Sequence, residues 1–273
     1  MSATLDPSTS QLVLGEDGIW HARERDSISY PEAGNDLCFE LEEDSFWFAH
    51  RAACIVAAAR RLRPAGAIYD IGGGNGFVAR ALLDAGFEAV LVEPGEAGAR
   101  NAIRRGLPTV VCASLTTAGF AAGSLPAVGI FDVLEHIGDD AAFLAEIHRA
   151  LTPGGRFYIT VPAFSWLWSD DDIAAGHFRR YTLTSLMQRV NAAGFAPLYD
   201  TFLFSPLPLP LFVARSIPSL FGHCGLPRQK YGRLHKQRAR WITDRVWAAE
   251  LRRVASGRRI PFGSSCLLVA EKR

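Results

Sequence analysis

The chain has 273 residues, of which 49% are hydrophobic and 21% are charged, and its formal net charge at pH 7 is +1. This length fits one large domain or one domain with an appendage, and the apolar content excludes a globally disordered chain. The small net charge excludes a uniformly basic nucleic-acid-binding protein. The charges are polarised, however: residues 1–50 contain 11 acids and 2 arginines, whereas residues 225–259 contain 11 Lys and Arg and 2 acids. The two ends either neutralise one another or bind a partner.

The cysteine pattern and the N-terminus indicate a cellular compartment. The 5 cysteines are scattered, and no two of them are spaced as C-x-x-C. This favours reduced thiols over a disulfide framework or a zinc site. The stretch from Met1 to Pro7 has neither a basic region nor an apolar core, so we expect no signal peptide. These features predict a cytoplasmic protein.

In chain order, residues 1–44 are polar and acidic and predict an N-terminal arm or irregular cap. Helical spacing of apolar residues begins at Ser45 and predicts a helix that ends before Pro64. Short apolar runs then alternate with helical patterns, and we predict strands at 67–71, 88–93, 108–112, 126–131 and 156–161. The alternation predicts an α/β fold with a doubly wound, mostly parallel sheet, which binds ligands at the carboxyl ends of its strands.

The C-terminal part departs from this alternation. Residues 195–204 and 264–271 each predict a strand, and the two would form a hairpin that closes the sheet. The long connection between them begins with a proline-broken apolar run, which the prolines exclude as a simple membrane span, and continues as a basic helix. We therefore predict three units, a core at 45–204, a helical lid insertion at 205–263 and a closing strand at 264–273.

A glycine-rich turn follows the first predicted strand of the core. Asp70 ends the apolar run, Gly72, Gly74 and Gly76 recur at every second position, and a helical pattern starts at Phe77. Glycine allows positive φ and close approach to a ligand, and the helix N-terminus offers free N–H groups. The turn predicts a site for a small ligand that carries a nucleoside.

The spacing of this turn is G-x-G-x-G, whereas a dinucleotide fingerprint would need a third glycine where Phe77 stands. Together with Glu93-Pro94, the run Asp132-Val133-Leu134-Glu135-His136 and the run from Leu151 to Gly155, it resembles the motifs of class I S-adenosylmethionine (SAM)-dependent methyltransferases. The resemblance covers residues 45–200 and extends to a large group of uncharacterised bacterial methyltransferase-domain proteins. It implies a seven-stranded sheet and SAM as the cofactor.

The resemblance also implies which residues bind SAM. Asp70 and the three glycines would hold the methionine portion, and Glu93 would accept the ribose hydroxyls. The remaining implied cofactor contacts are Pro94, Ser114, Leu115 and Asp132, of which Ser114 and Leu115 stand where the family places adenine contacts.

Candidate catalytic residues follow the fourth and fifth predicted strands. His136 is the first candidate for a general base, although a histidine that only shapes the pocket is an equal alternative. His177 and Tyr181, with Arg180, face the same mouth and could orient an acceptor that carries negative charge. A further hypothesis comes from the resemblance, since some relatives hold a divalent metal with a pattern like Asp132, Glu135, His136 and His177.

The acceptor itself is left open by the sequence. We predict methyl transfer to an O or N atom of a small molecule, saccharide or lipid-linked metabolite, with peripheral membrane contact through 202–259 as one alternative for the lid and a buried lid core as the other. DNA is not expected, because the chain lacks N/D-P-P-Y and Pro-Cys motifs. Two other functions remain alternatives: an aminopropyl transferase of the spermidine-synthase type, and a catalytically silent subunit that contacts RNA or an acidic partner.

Overall fold

The computed structural model describes residues 11–24, 39–220 and 240–273. The described residues form one nine-stranded sheet. Its strands in chain order are β1 (Leu12–Leu14), β2 (Trp20–Ala22), β3 (Ile68–Ile71), β4 (Ala89–Val92), β5 (Val110–Cys112), β6 (Leu125–Phe131), β7 (Leu151–Pro162), β8 (Phe195–Leu203) and β9 (Ser265–Lys272). In space they follow the order β1-β2-β5-β4-β3-β6-β7-β9-β8.

The parallel centre of the sheet runs from β5 through β4, β3 and β6 to β7. Every residue of β4 is buried, as expected for a strand covered on both faces. The chain moves outward from β3 to β5 and then returns to β6, so right-handed crossovers place helices on opposite faces. The helices that connect and cover these strands are Phe46–Arg61, Phe77–Asp84, Glu96–Arg104, Leu115–Ala118, Asp140–Ala150, Asp170–Ala175 and Leu183–Ala192.

The helix before β7 has a side-chain cap at its N-terminus. Asp139 caps the helix Asp140–Ala150, since its side chain accepts a hydrogen bond of 3.0 Å from the N–H of Ala142. The next strand starts at once with Leu151, which pairs with Leu125 across an irregularity in the register. The strand that we predicted at 156–161 is therefore longer, because this pairing carries the proline and glycines that follow Leu151 into the sheet.

The predicted closing hairpin is present. Strand β9 lies between β7 and β8 and is antiparallel to both. Its residues from Ser265 to Ala270 are all buried, which explains why this stretch is apolar throughout and does not alternate. The insertion connects the end of β8 to the start of β9. It therefore lies at the edge of the sheet at which β6 and β7 also end.

The prediction of seven strands is wrong, because the described residues already form nine. The seven predicted strands are all present, and the additional two come from the region that we predicted as an irregular arm. Strand β2 lies parallel to β5, with Trp20 opposite Val111, and β1 pairs with β2 at the outer edge. Each added strand has only three residues. A pattern this short gives no detectable alternation. The remainder of the arm, 1–10 and 25–38, lies outside the described residues.

The described part of the predicted lid contains two helical segments. Its first part is a continuous helical segment made of Pro208–Leu211, a π-helical turn Phe212–Ser216 and Ile217–Leu220. Its second part is the helix Arg240–Ala255, which packs against the helix Phe46–Arg61. Residues 221–239, which include the first part of the basic segment 225–259, lie outside the described residues. In the parts of the chain that are described, no helix combines the length and the apolar character needed to cross a membrane.

Candidate functional site

The glycine turn connects β3 to the helix Phe77–Asp84 and has the predicted geometry. Gly72, Gly74 and Gly76 have φ values of 70°, 56° and 75°, in the left-handed region that favours glycine. Gly76 is also the N-cap of the helix, which has no side-chain cap. The turn thus brings backbone N–H groups to the carboxyl end of β3, where a ligand can reach them.

Asp70 lies at the base of this turn, fully buried. Neither of its carboxylate oxygens has a hydrogen-bond partner among the described residues. Burial raises the pKa of Asp70 to about 7, and the positive charge of Arg51 offsets this only in part. A buried carboxyl group without a hydrogen-bond partner destabilises the protein when no ligand is bound. Asp70 therefore marks a position where a cationic or hydrogen-donating ligand group fits.

Glu93 follows β4 and lies beside the turn. One of its carboxylate oxygens, Oε2, accepts a hydrogen bond of 2.8 Å from the N–H of Gly74, and Oε1 accepts one of 2.8 Å from the N–H of Gly95. Burial raises the pKa of Glu93, whereas these two N–H groups act in the opposite direction. Each oxygen keeps a second lone pair, so the carboxylate can still accept two hydroxyl groups.

A buried network that the sequence did not suggest ties the N-terminal region to the turn. Asn75 accepts a hydrogen bond of 3.1 Å from Asn101 and donates one of 3.3 Å to Glu42. Arg105 donates to Glu42 at 2.8 Å and to the carbonyl oxygen of Asn75 at 2.9 Å. Glu42 belongs to a helical turn at 39–44. Its charged sequence pattern resembles that of any solvated acidic arm, so no local signal could identify it as a buried contact.

The predicted adenine contacts lie near the end of β5. The Ser114 hydroxyl caps the helix Leu115–Ala118 by accepting a hydrogen bond of 3.1 Å from the N–H of Thr117. The Leu115 side chain is buried in the core. Pro94 presents its carbonyl oxygen to the Cys112 thiol at 3.8 Å. The roles of Ser114, Leu115 and Pro94 in binding a cofactor stay a prediction.

Asp132 comes directly after β6 with a φ of 58°, an uncommon conformation for a residue other than glycine. Its carboxylate forms an ion pair with Arg51 and accepts a hydrogen bond of 3.0 Å from Thr160. Arg51 is buried, and its Nε has no partner in the described parts of the chain. The strained backbone thus directs Asp132 toward Arg51 at the carboxyl ends of the strands.

A pocket of about 210 Å³ lies at the carboxyl ends of β6 and β7, beside the start of β9. His136 and His177, which are distant in the sequence, both line it, and the centroids of their rings are 4.7 Å apart. The residues that line it are Trp47, Asp132, Glu135, His136, Pro162, Asp171, Asp172, His177, Arg180, Leu211, Arg215, Ser264 and Ser265. The lid contributes Leu211 and Arg215, so the pocket is shared by the core and the insertion.

His177 is oriented by a carboxylate that the sequence analysis did not single out. Its Nδ1 donates a hydrogen bond of 2.8 Å to Asp172. Arg180 binds the same carboxylate with two hydrogen bonds, of 2.8 and 3.0 Å. Burial disfavours ionisation of Asp172, but the hydrogen bonds from His177 and Arg180 outweigh it and hold its pKa below the usual value. Within the described residues, this bond engages only Nδ1 of the His177 ring.

Burial favours the neutral form of both His136 and Glu135. Burial and the neighbouring His177 lower the pKa of His136 to about 4, so its imidazole is neutral at pH 7 and a weak base. Burial raises the pKa of Glu135 to about 8, and its Oε2 has no partner within the described residues.

Ligand atoms of Glu135, His136 and His177 lie within 4.8 Å of one another and could hold a metal ion. Asp132, the fourth residue of the metal hypothesis, is outside this group, and its oxygens are hydrogen-bonded to Arg51 and Thr160.

Tyr181 lies on the same loop as His177 and Arg180 but is not among the residues that line the pocket. It is buried, and its hydroxyl contacts Asp140 at 3.1 Å and the carbonyl oxygen of Leu134 at 3.3 Å. Its backbone N–H donates to Pro162 at the end of β7. The observed contacts of Tyr181 are those of a residue that fixes the loop, and its catalytic role stays a prediction.

Comparison with known proteins gives one family and several relatives. A family model described as a methyltransferase domain matches residues 48–199. A probable S-adenosylmethionine-dependent methyltransferase of Mycolicibacterium smegmatis is 28% identical over 170 residues, which are 60% of this chain and 65% of that protein. The match therefore spans slightly less than two thirds of the relative's length.

Solved structures share the fold at low sequence identity. A Haloferax volcanii protein in complex with the Trm112 methyltransferase activator is 18% identical, with a TM-score of 0.55 over 88% of this chain and 93% of that chain. The phosphoethanolamine N-methyltransferase 2 of Haemonchus contortus, solved with S-adenosyl-L-methionine, is 20% identical, with a TM-score of 0.51 over 80% of this chain and 52% of that chain.

Proposed function

The chain belongs to the methyltransferase-domain family, and from that premise we propose that it transfers the methyl group of SAM to a hydroxyl oxygen of an uncharged acceptor. SAM-dependent methyl transfer is the activity of the family, whereas the acceptor is our proposal. The observation that carries it is the Asp172–His177 pair, whose histidine faces the pocket at the carboxyl ends of β6 and β7.

The residues around the glycine turn fit SAM. The unpartnered carboxylate of Asp70 suits the ammonium group of the methionine portion, and the two remaining lone pairs of Glu93 suit the two ribose hydroxyls. The turn between them has no bulky side chain: a Cβ on Gly74 would contact nothing within 4 Å. When bound, SAM supplies an electrophilic methyl group on a sulfonium sulfur.

Transfer of this methyl group to a hydroxyl requires removal of the hydroxyl proton. His177 would take the proton at Nε2 while the oxygen forms its bond to the methyl carbon and the carbon–sulfur bond breaks. Asp172 would stabilise the resulting imidazolium, because the hydrogen bond at Nδ1 is already in place. The products are a methyl ether, S-adenosylhomocysteine and a protonated His177. His136, with its lowered pKa, is the weaker candidate for this role.

The charges of the pocket favour an uncharged acceptor. The two arginines in its lining are matched by carboxylates, Arg180 by Asp172 and Arg215 by Asp171. Of the four carboxyl groups in the lining, Asp132 is also paired, with Arg51, and Glu135 has a raised pKa of about 8 and is neutral at pH 7. Both guanidinium groups of the lining are therefore already engaged by carboxylates, and a phosphate or carboxylate on the acceptor would have to displace one of these ion pairs. The hydroxyls of Ser264 and Ser265 also line the pocket and suit a sugar or another polyol.

A metal is not needed for this proposal. Two imidazoles and a carboxylate are a donor set that suits a transition metal more than Mg²⁺, which prefers oxygen ligands. The proposed base is His177, so proton removal needs no metal ion. Methyl transfer that survives exhaustive chelation would support this, and transfer restored only by an added metal would contradict it.

The test begins with calorimetry of SAM and S-adenosylhomocysteine, followed by transfer of a labelled methyl group to sugars, amines and phosphorylated compounds. With the accepted substrate, His177→Gln should lower kcat about 100-fold or more and leave SAM affinity unchanged. Asp172→Asn should lower kcat and alter the pH profile. Asp170→Asn, on the same helix but outside the pocket lining, is the matched control.

Four kinds of result would overturn the proposal. Label found on nitrogen, or only on phosphorylated acceptors, would exclude an uncharged hydroxyl acceptor. Full activity of the His177→Gln variant would exclude the base. Absence of SAM binding would favour the catalytically silent subunit, and binding of decarboxylated SAM alone would favour the aminopropyl transferase.

A further inference from the structure

The helical segment 208–220 of the lid exposes an apolar face. Leu209, Val213 and Leu220 are 67%, 62% and 77% exposed. They follow one another at intervals of four and seven residues, which places them on the same side of a helix. Pro206, Pro210 and Ala214 are also exposed. Contiguous exposed apolar residues on a folded domain mark an interaction surface more often than isolated ones do.

The opposite face of the segment is anchored to the core. The rings of Phe212 and Trp166 pack edge to face with their centroids 5.4 Å apart. Nε of Arg215 lies 3.5 Å from Oδ2 of Asp171. Ser219 accepts a hydrogen bond of 2.8 Å from the N–H of Asp170. Because these contacts fix which side faces inward, the segment cannot bury its outer side by rotating.

Two further exposed apolar side chains and the pocket adjoin the segment. Trp166, which contacts Phe212 on the inner side, and Phe262 are 40% and 39% exposed, and the centroids of their stacked rings are 6.3 Å apart. Leu211, on the same helical segment, lines the pocket that contains His177. An amphipathic molecule held at the outer face would therefore be close to the pocket.

The distribution of charge indicates what covers this face. In the sequence 202–222 only Arg215 is charged, and it is paired on the inner side. The sequence that follows directly, 221–239, contains 5 Lys and Arg and no acid. An uncharged helix face joined to a polybasic sequence is the combination that binds anionic lipid surfaces.

Other occupants fit less well. A second copy of the chain would bring two such basic sequences together, and their like charges would repel. RNA would be bound through the cations and would gain nothing from three exposed aliphatic side chains.

We infer that the outer face of segment 208–220 docks on an anionic lipid bilayer, with Leu209, Val213 and Leu220 inserted at the interface. The inference is independent of the acceptor proposed above, because it concerns the surface of the lid and not the pocket.

The test uses the full chain and sedimentation with vesicles of phosphatidylcholine, with and without phosphatidylglycerol. The wild-type protein should bind the phosphatidylglycerol vesicles more strongly, and added salt should weaken the binding. Changing Leu209, Val213 and Leu220 to Ser should lower the partition coefficient about tenfold or more, since each buried aliphatic side chain contributes to insertion.

The matched control is Val13→Ser with Leu14→Ser. These residues are similarly exposed, at 51% and 54%, but lie on β1 at the far edge of the sheet. The control should bind vesicles like the wild type. Calorimetry with S-adenosylhomocysteine verifies that both variants are folded.

Four outcomes would overturn the inference: no vesicle binding by the wild type, equal binding by the triple variant, equal loss in the control, or a dimer that the triple variant abolishes. None of these outcomes bears on whether SAM binds.

Discussion

At the level of single residues, the buried carboxyl of Asp70 should make cofactor binding depend on pH. Its pKa is raised to about 7 by burial, but an ammonium group binds the ionised form. Below pH 7 the carboxyl must lose a proton before it binds. We therefore expect the affinity for S-adenosylhomocysteine to fall by up to about tenfold per pH unit between about pH 7 and pH 5, measured by calorimetry.

The control for this prediction is Asp70→Asn, which has no proton to lose. This variant should bind more weakly and with a flatter pH dependence. In the free protein the sign is the reverse: the folded pKa lies above the ordinary aspartate value of 3.8, so ionisation of Asp70 lowers stability as the pH rises toward 7. The variant should then have the higher Tm at pH 8. An unchanged pH slope in Asp70→Asn would contradict the prediction.

At the level of elements, Glu250 anchors the helix Arg240–Ala255 to the rest of the fold. Its carboxylate is bonded to His50 at 2.8 Å, to the N–H of Phe204 at 2.6 Å and to the N–H and hydroxyl of Ser205, both at 2.9 Å. It thereby joins the lid helix to the helix Phe46–Arg61 and to the end of β8. Burial disfavours its charge, yet these hydrogen bonds outweigh burial and lower its pKa.

We expect Glu250→Gln to lower the free energy of unfolding by about 3 kcal/mol, because it leaves buried donors without an acceptor. Urea denaturation measures this. The stabilisation by Glu250 should be complete above 4.5, the ordinary pKa of a glutamate, and should be lost as the pH falls through the lowered pKa of the folded state. Asp244→Asn, exposed on the same helix, should change stability by less than about 0.5 kcal/mol. Equal effects in the two variants would refute this anchor.

At the level of the whole molecule, the hairpin of β1 and β2 protects an edge of the sheet. Without it, the short strand β5 would become an edge with unpaired backbone groups. Leu12 and Ile19 of this region are buried in the core, at 9% and 2% exposed. Deletion of residues 1–24 should therefore lower the Tm and promote aggregation, as followed by light scattering.

Binding of SAM should survive this deletion, because Asp70, the glycine turn and Glu93, which we propose to hold its methionine portion and ribose, belong to β3, β4 and the turns after them. Only the predicted adenine contacts follow β5, the strand that pairs with the hairpin. Calorimetry at low protein concentration separates the two effects. A truncated protein that is as stable and monodisperse as the full chain would show that the hairpin is dispensable for the sheet.

The sequence alone determined the features that depend on local geometry. Positive φ at Gly72, Gly74 and Gly76 needs glycine, a cap needs a residue such as Asp139, and buried parallel strands need continuous apolar runs. These requirements concern residues that are adjacent in the sequence, so the sheet core, the closing hairpin and the methyl donor could all be predicted.

Only the tertiary structure decided which side chains meet. Arg51 pairs with Asp132, which lies far from it in the sequence, and Asp172 orients His177 from the helix Asp170–Ala175. The three-residue strand β2 is recognisable only by its pairing with β5. Such contacts depend on the path of the whole chain, and burial then sets the charge of the groups involved. For that reason the sequence identified His136 and His177 as candidates, whereas the structure distinguished the weak base from the oriented one.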